Sequence, residues 1–248
     1  MKAMVLAAGQ GTRLRPLTDR QPKALVSVAG QAMIEYPLRL LRHHGIREVV
    51  INLHHHGDQI EHYLGGGEKH GMHITYSKEA ELLDTGGGLL KAKPFLTEET
   101  FIVINTDVLI DLPLVDLVAF HRNKQAVATL VLRPDKLADQ YGSMEIDSEG
   151  RIYRFLDSEI HTKERGSGRK LMFTGVQILE PKIFDFMQID DSRKKFSTTK
   201  HVYPKMLRRG EAMYGYVFEG YWQDLGTAAR IRKAEDDLLR GKASLHFL

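Results

Sequence analysis

The chain has 248 residues, of which 42% are hydrophobic, so it can bury enough apolar surface for one large domain or two small ones. Its formal charge of +3 arises from 35 basic and 32 acidic residues with no long basic run, so a nucleic-acid partner is not expected. Because it has no cysteine, disulfides, thiolate zinc sites and cysteine nucleophiles are excluded. No apolar stretch is long enough for a membrane helix and no signal peptide precedes the first strand pattern, so we expect a cytoplasmic protein without a membrane partner.

The first half of the chain alternates between strand-like and helix-like patterns. Apolar runs predict strands at residues 4–8, 49–53, 74–77, 101–105 and 126–132, and helical patterns occur at residues 33–44, 59–64, 87–93 and 114–123. This alternation is typical of an α/β fold with a parallel sheet. Asp107 follows the apolar strand 101–105, so we expect it at the carboxyl edge of the sheet, where ligands bind in open α/β folds.

The second half is predicted to contain shorter strands and turns. We expect a hairpin over residues 143–155, a polar surface loop at 159–170, a strand at 173–179, a helix at 203–209, a second hairpin formed by 212–218 and 221–224, and a closing helix at 227–240. Gly226, directly ahead of that helix, is the expected N-cap.

A glycine-containing segment follows the first predicted strand and reads Leu6-Ala-Ala-Gly-Gln-Gly-Thr-Arg-Leu-Arg-Pro-Leu-Thr18. Its small residues allow backbone N–H groups to approach a polyphosphate, and Arg13 and Arg15 add positive charge. The segment lacks the third glycine of the dinucleotide fingerprint and the Gly-Lys-Ser/Thr of a P-loop, so both of those nucleotide folds are disfavoured. For Gly9 and Gly11 considered alone, a simple turn between strand and helix remains the alternative.

Together with Pro22-Lys23, this segment resembles the signature of the sugar-1-phosphate nucleotidylyltransferases, also called nucleotide-sugar pyrophosphorylases. The resemblance continues in the same order through Asn105-Thr-Asp107 and Trp222-Gln-Asp-Leu-Gly-Thr227. It implies an α/β, Rossmann-like, three-layer nucleotide-diphospho-sugar transferase fold with a mixed, mostly parallel central sheet. It also implies one domain, residues 1–248, with a nucleotide-binding half at 1–135 and a sugar-binding half with the closing helix at 136–248.

The resemblance implies a reaction in which a sugar 1-phosphate attacks the α-phosphorus of a nucleoside triphosphate and pyrophosphate leaves, with Mg²⁺ as cofactor. The implied catalytic residues are Arg13, Lys23, Asp107 and Asp224. Asp107 and Asp224 would hold Mg²⁺, Lys23 would contact the phosphates and Arg13 would stabilise the departing pyrophosphate. From the residues alone, Asp107 could instead be a turn former and Asp224 a helix N-terminal residue.

The resemblance also implies the residues that contact the two substrates. Those expected at the nucleotide are Leu6, Ala7, Ala8, Gly9, Gly11, Thr12, Glu79, Thr85 and Gly86, and those expected at the sugar are Gly142, Asp157 and Gly175. Leu6-Ala-Ala-Gly9 resembles the uridylyl- and thymidylyl-transferring members, which favours UTP. With Asp84-Thr-Gly-Gly-Gly88, the chain is most similar to members resembling N-acetylmuramate-1-phosphate uridylyltransferase, which act in cell-wall recycling. These three glycines could instead permit a tight helix entry.

Other functions stay open at this point. Within the same family, the alternative is a mannose-1-phosphate or heptose-1-phosphate guanylyltransferase, and Phe155-Leu-Asp-Ser158 departs from the Glu-Lys-Pro of many relatives, which leaves the sugar undecided. From another class, the alternative is a catalytically silent nucleotide-sugar sensor or regulatory subunit, against which the retained Asp107 and Asp224 argue. The expected partners are a nucleoside triphosphate and a sugar 1-phosphate, bound by a monomer or homo-oligomer. His54-His55-His56 is not interpreted as a zinc site, because alternate side chains of a strand point to opposite faces.

Overall fold

The computed structural model describes residues 1–135, 138, 143–155, 158–159, 170–187 and 194–248. Its strands are β1 (Lys2–Leu6), β2 (Ser27–Val28), β3 (Gln31–Ala32), β4 (Glu48–Leu53), β5 (His73–Lys78), β6 (Phe101–Asn105), β7 (Val108–Ile110), β8 (Ala128–Pro134), β9 (Met144–Ile146), β10 (Ile152–Phe155), β11 (Ser158–Glu159), β12 (Leu171–Leu179), β13 (Met213–Val217) and β14 (Trp222–Asp224). Its α-helices are α1 (Glu35–His43), α2 (Gly57–Leu64), α3 (Asp84–Lys91), α4 (Lys93–Leu96), α5 (Leu114–Asn123), α6 (Tyr203–Arg208) and α7 (Ala228–Leu239). Within these residues, no helix combines the length and the apolarity needed to cross a bilayer.

The chain divides into two compact units built from interleaved segments. The first unit contains Met1–Leu82, Val103–Leu112 and Gly220–Leu248, and the second contains Leu83–Ile102 and Pro113–Glu219. The sequence predicted one domain whose halves meet at residues 135 and 136. The chain passes between the two units at four points, after Leu82, Ile102, Leu112 and Glu219, and the division into halves at 1–135 and 136–248 stays a prediction.

The first unit contains a sheet with the strand order β6-β1-β4-β5, in which β6 takes part from Val103 onward. β1 pairs with β4 and β4 with β5, both in parallel, so these three strands end at the same edge of the sheet. Ala3, Met4 and Val5 are completely buried. Such a continuous apolar run is typical of a parallel strand covered on both faces. A short antiparallel ribbon of β7 and β14 belongs to the same unit.

The second unit is built mainly around β12. This strand pairs antiparallel with β8 and β9, while β8 pairs in parallel with β13. β9 and β10 form an antiparallel pair, which confirms the first predicted hairpin. The register of β12 against β8 shifts between Phe173 and Gln177.

Several predicted elements agree closely with the structure. β6 and α5 have the predicted bounds. The polar loop predicted at 159–170 lies almost wholly outside the described residues.

Two local predictions are wrong. The second hairpin does not form, because β13 pairs with β8 and β14 pairs with β7. The chain passes from one unit to the other at Gly220, and such long-range pairing leaves no trace in the local alternation of residues. The cap of α7 is Thr227 rather than Gly226, since the Thr227 side chain accepts a hydrogen bond from the Arg230 N–H.

Candidate active site

The carboxyl end of β1 is fixed by a buried hydrogen-bond chain. The Ala7 N–H donates to Asn52 Oδ1 over 2.8 Å, and Asn52 Nδ2 donates to Glu79 Oε1 over 2.7 Å. Glu79 is only 6% exposed, and its own N–H donates to the Leu53 carbonyl over 2.7 Å. The predicted nucleotide residue Glu79 therefore supports the start of the loop through Asn52. Asn52 was missed at the sequence level, although an asparagine near the end of an apolar strand is an available signal.

The loop after β1 has both solvent-exposed residues and residues that pack against the rest of the first unit. Ala7 and Ala8 are buried, whereas Gly9 and Thr12 are exposed. Gly11 has φ +64°, in the left-handed region that glycine adopts readily. A Cβ on Gly11 would lie 2.8 Å from Thr18 Cγ2 and 3.0 Å from Lys23 Cβ. The absence of a side chain at Gly11 thus allows the segment that carries Lys23 to pack against the loop.

Asp107 stands at the end of β6, directly beside the end of β1. Both the N–H and the hydroxyl of Thr106 donate to the Leu6 carbonyl, over 3.2 and 2.7 Å. These bonds hold the residue before Asp107 against the residue before the glycine loop. The Asp107 carboxylate forms a close ion pair with Lys23 through Oδ2, and the two side chains are 22% and 14% exposed. Sequence analysis predicted both residues for the site, and the structure brings them into contact.

Asp224 approaches Asp107 through the β7–β14 ribbon. Asp224 lies opposite Val108, and the Leu225 N–H donates to the Asp107 carbonyl over 2.8 Å. The Asp224 carboxylate accepts hydrogen bonds at Oδ1 from the Gly226 N–H, over 2.8 Å, and from Arg230 Nη1, over 2.5 Å. Asp107 and Asp224, which are more than 100 positions apart in the sequence, therefore lie near each other at one end of the first unit.

Arg13 completes this cluster. It is exposed and lies in the short 3-10 helix Thr12–Leu14 that follows the glycine loop. A Cβ on Gly226 would be 2.6 Å from Arg13 Nη2 and 2.8 Å from Asp224 Oδ1. The guanidinium of Arg13 therefore rests against the backbone beside Asp224.

The donor set is compatible with Mg²⁺. Asp107 lies in the turn between β6 and β7, and Asp224 lies in β14, which pairs with β7. Each carboxylate uses one oxygen for a protein donor, Oδ2 in Asp107 and Oδ1 in Asp224. Mg²⁺ commonly takes one or two carboxylates and fills its other positions with phosphate oxygens and water. Among the residues with described side chains, no group of three or more histidine or acidic residues could hold a metal by itself. A metal at Asp107 and Asp224 would therefore require further oxygen ligands.

The predicted nucleotide residues Thr85 and Gly86 lie in α3 of the second unit, where they pack against the backbone near Phe196. The Gly86 N–H donates to the Phe196 carbonyl over 2.8 Å, and a Cβ there would lie 2.4 Å from Phe196 Cδ2. Thr85 Oγ1 accepts from the Thr198 N–H over 3.0 Å. These contacts agree with the alternative that the glycines permit close packing at the start of the helix. Their predicted contact with a nucleotide stays a prediction.

Of the predicted sugar residues, Gly175 is described and Gly142 and Asp157 lie outside the described residues. Gly175 is buried in β12 with φ +89°, inside the stretch where the register against β8 shifts. A positive φ within a strand is typical of a bulge, and bulges are frequent next to binding sites. Its place beside a sugar stays a prediction.

The histidines that were not assigned to zinc connect the site's supporting segments. His54 Nδ1 is 3.1 Å from the Glu79 carbonyl oxygen, and His55 Nε2 is 3.3 Å from the Thr18 carbonyl oxygen. Both contacts lie within the first unit.

Curated relatives of the chain have names that describe two nucleotide classes. The chain is 36% identical over 239 residues to the N-acetylmuramate alpha-1-phosphate uridylyltransferase of Neisseria meningitidis serogroup B, covering 95% of this chain and 97% of the relative. It is 34% identical over 239 residues to the UTP–glucose-1-phosphate uridylyltransferase of Synechocystis, covering 91% of this chain and 60% of the relative. It is also 34% identical over 230 residues to the mannose-1-phosphate guanylyltransferase catalytic subunit beta of Dictyostelium discoideum, covering 91% and 61%. The chain thus spans about 60% of the length of the latter two proteins.

Comparison with solved structures identifies the fold, and comparison with family models identifies the family. A structure from Bacillus anthracis, named as a glucose-1-phosphate thymidylyltransferase in complex with sucrose, matches with a TM-score of 0.82 at 23% identity, covering 95% of this chain and 94% of that one. This likeness confirms the predicted fold class, α/β with a mixed, mostly parallel sheet. A model of the nucleotidyl transferase family matches residues 2–241. With this match over nearly the whole chain and relatives above 30% identity, the chain belongs to the nucleotidyl transferase family.

Proposed function

We propose that the chain is a sugar-1-phosphate nucleotidylyltransferase. In this reaction a phosphate oxygen of the sugar 1-phosphate forms a bond to the α-phosphorus of the nucleoside triphosphate. The bond from that phosphorus to the β-phosphate oxygen breaks, and pyrophosphate leaves. The observation that carries the proposal is the convergence of Arg13, Lys23, Asp107 and Asp224 at one end of the first unit, from four separate segments.

The cluster suits a reaction between two anions. Positioning and charge stabilisation are the main requirements, because the attacking phosphate oxygen is already ionised and needs no general base. Lys23 is held at Asp107 as a point charge beside the glycine loop, and Arg13 is exposed next to Gly226. A guanidinium presents several N–H donors to phosphate oxygens, so Arg13 is suited to the pyrophosphate that develops negative charge as it leaves.

We propose Asp107 and Asp224 as the residues that hold Mg²⁺. When bound, the metal supplies positive charge at the phosphate oxygens. The chain's own contribution is to fix the two carboxylates: the Leu225 N–H holds the Asp107 backbone, and the Gly226 N–H holds Asp224 Oδ1. Removing the Asp107 carboxylate would break its ion pair with Lys23, and removing the Asp224 carboxylate would break its ion pair with Arg230.

For the substrates, we propose UTP and N-acetylmuramate 1-phosphate. The proposal is supported by Leu6-Ala-Ala-Gly9 and by the uridylyltransferase name of the Neisseria relative, whose length the chain matches almost fully. This pairing would place the product in cell-wall sugar metabolism. The second candidate is GTP with mannose or heptose 1-phosphate, which the guanylyltransferase name of the Dictyostelium relative favours.

The test is pyrophosphate release with Mg²⁺, in which UTP, dTTP, GTP, CTP and ATP are each combined with the 1-phosphates of N-acetylmuramate, N-acetylglucosamine, glucose, mannose and heptose. We expect release with UTP and N-acetylmuramate 1-phosphate, and loss of that release in Asp107→Asn. Turnover with GTP alone would replace the substrate assignment by the guanylyl alternative. Silence across the panel, together with tight binding of a nucleotide sugar, would instead support a sensor or regulatory subunit.

A further inference from the structure

Asp224 has a cationic partner to which neither the signature nor the proposed reaction gives a role. Arg230 lies in the first turn of α7 and reaches back to Asp224, with 2.5 Å between Nη1 and Oδ1. Its backbone N–H donates to Oγ1 of the capping residue Thr227 over 3.4 Å. The cap therefore fixes the position from which Arg230 reaches the carboxylate.

The arrangement repeats the pairing of Lys23 with Asp107. Each carboxylate of the proposed metal pair thus has its own basic partner, from a different segment of the first unit. The side chains of Arg230 and Asp224 are 27% and 22% exposed, so their attraction is only partly screened by solvent. The four side chains carry a formal net charge of zero.

We propose that Arg230 is a counter-ion of Asp224 that weakens the binding of a free divalent cation to the Asp107–Asp224 pair. An added cation meets two carboxylates that are already neutralised, and it is repelled by Arg230, Lys23 and the nearby Arg13. A triphosphate brings several negative charges and reverses that balance. The metal would therefore enter together with the nucleotide. This inference rests on the proposed function for the identity of the metal pair.

Removing Arg230 should change the affinity for a divalent cation through two opposing effects. Loss of Arg230 removes one positive charge, which strengthens cation binding, and it also removes one hydrogen bond that orients Asp224. Orientation is retained in part, because the Gly226 N–H still donates to the same oxygen over 2.8 Å. The charge effect should dominate, so a variant without the guanidinium should bind a divalent cation more tightly.

The experiment is a titration with Mn²⁺ alone, followed by quenching of tryptophan fluorescence. Trp222 is the one tryptophan of the chain, and it lies two residues before Asp224 in β14, on the same face of the strand. The variants are Arg230→Met, Arg230→Gln and the charge-conserving Arg230→Lys. The matched control is Arg232→Met, an exposed position on the same helix.

We expect Arg230→Met and Arg230→Gln to bind Mn²⁺ about tenfold more tightly than the wild type, the change for one unit charge roughly 6 Å from a divalent ion at water-like dielectric. Arg230→Lys and Arg232→Met should stay within about twofold of the wild type, since neither removes a positive charge from Asp224. Unchanged or weaker Mn²⁺ binding in either neutral variant, with folding verified by circular dichroism, would overturn the counter-ion role. Tighter Mn²⁺ binding in these variants without pyrophosphate release by the wild type would leave this role intact and refute the proposed function.

Discussion

The chain contains two glycine-rich strings, Leu6-Ala-Ala-Gly-Gln-Gly11 and Asp84-Thr-Gly-Gly-Gly88. Both suggest close approach to the backbone in the sequence, but their surroundings in the structure differ. In the first unit, a Cβ on Gly9 would meet no atom within 4 Å. In the second unit, a Cβ on Gly86 would lie 2.4 Å from Phe196 Cδ2, and one on Gly87 would lie 2.4 Å from the Lys194 carbonyl oxygen. In the first string, Gly9 leaves its backbone accessible although Gly11 lets the Lys23 segment pack against the loop, whereas in the second string both Gly86 and Gly87 lie against another segment. A run of glycines therefore indicates close approach to the backbone without saying whether a ligand or the protein itself approaches.

The two units also differ in the exposure of their polar clusters, Lys23 with Asp107 in the first unit and His121 with Thr129 and Glu180 in the second. In the first unit, the Lys23–Asp107 pair is partly exposed at the sheet edge. In the second unit, His121 is buried, with Nδ1 2.8 Å from Thr129 Oγ1 and Nε2 3.0 Å from Glu180 Oε1. Substitutions in the Lys23–Asp107 cluster should alter activity and leave stability nearly unchanged, whereas substitutions in the His121 cluster should alter stability and leave activity nearly unchanged.

The largest effect is expected from Asp107→Asn. This change keeps the size of the side chain but removes the charge that pairs with Lys23 and would bind the metal. We expect kcat/KM for pyrophosphate release to fall at least about 100-fold, the magnitude typical for loss of one preorganised electrostatic contact. The melting temperature should change by only a few degrees, since a partly exposed ion pair contributes about 1 kcal/mol or less. Activity within threefold of the wild type would contradict the assignment.

The next largest effect is expected from Gly87→Ala, which should lower the free energy of unfolding. The new methyl group would overlap the Lys194 carbonyl oxygen, which belongs to the backbone and cannot rotate away. Overpacking costs about 1–3 kcal/mol, of which the better helix propensity of alanine offsets up to about 1 kcal/mol. Denaturant unfolding should therefore show a net loss of about 1–2 kcal/mol.

Gly9→Ala is the matched control for the second glycine string. Its Cβ points into open space, so its unfolding free energy should stay within about 0.5 kcal/mol of the wild type. Equal destabilisation by both substitutions would remove the distinction between the two strings.

A smaller effect on activity is expected from Gly226→Ala. Its methyl group would displace Arg13, an exposed side chain that can move, and would crowd Asp224 Oδ1. We expect about a tenfold lower kcat, consistent with misplacement of one phosphate-stabilising group. Stopped-flow detection of pyrophosphate together with thermal unfolding separates this effect from loss of structure. Unchanged kcat in a folded variant would show that the position of Arg13 beside Gly226 is unimportant for the reaction.

The smallest expected effect is a pH dependence of stability in the second unit. Burial lowers the pKa of His121 below its usual 6.5, although the hydrogen bond to Glu180 opposes this shift. The unfolded chain then binds the proton more readily, so stability is lost as the pH falls through about 6.5. One histidine can contribute at most about 1.4 kcal/mol per pH unit to that loss. Urea unfolding at pH 7.5 and 5.5 should show a smaller loss in His121→Gln than in the wild type, and an equal loss would exclude His121 as its source.

The sequence predicted those parts of the molecule whose signals are local. The uninterrupted apolar run of β6 and the pattern of α5 gave correct bounds. The resemblance to a known signature led to Arg13, Lys23, Asp107 and Asp224. The pairing of β7 with β14 could not be predicted, since it joins residues more than 100 positions apart. Asn52 was not predicted because the residue that it binds, Ala7, is 45 positions away in the sequence. Arg230 was not predicted because its contact with Asp224 depends on the helix cap at Thr227.

The most direct test of nucleotidyl transfer follows the two ends of the triphosphate separately. UTP labelled with ³²P at the α-position, or at the γ-position, is incubated with N-acetylmuramate 1-phosphate, and the products are separated. We expect the α-label to enter the nucleotide sugar and the γ-label to enter pyrophosphate, and both transfers to be lost in Asp107→Asn. Transfer of the γ-label to the sugar, or equal transfer by the variant, would contradict the proposed reaction and the role of the cluster around Asp107.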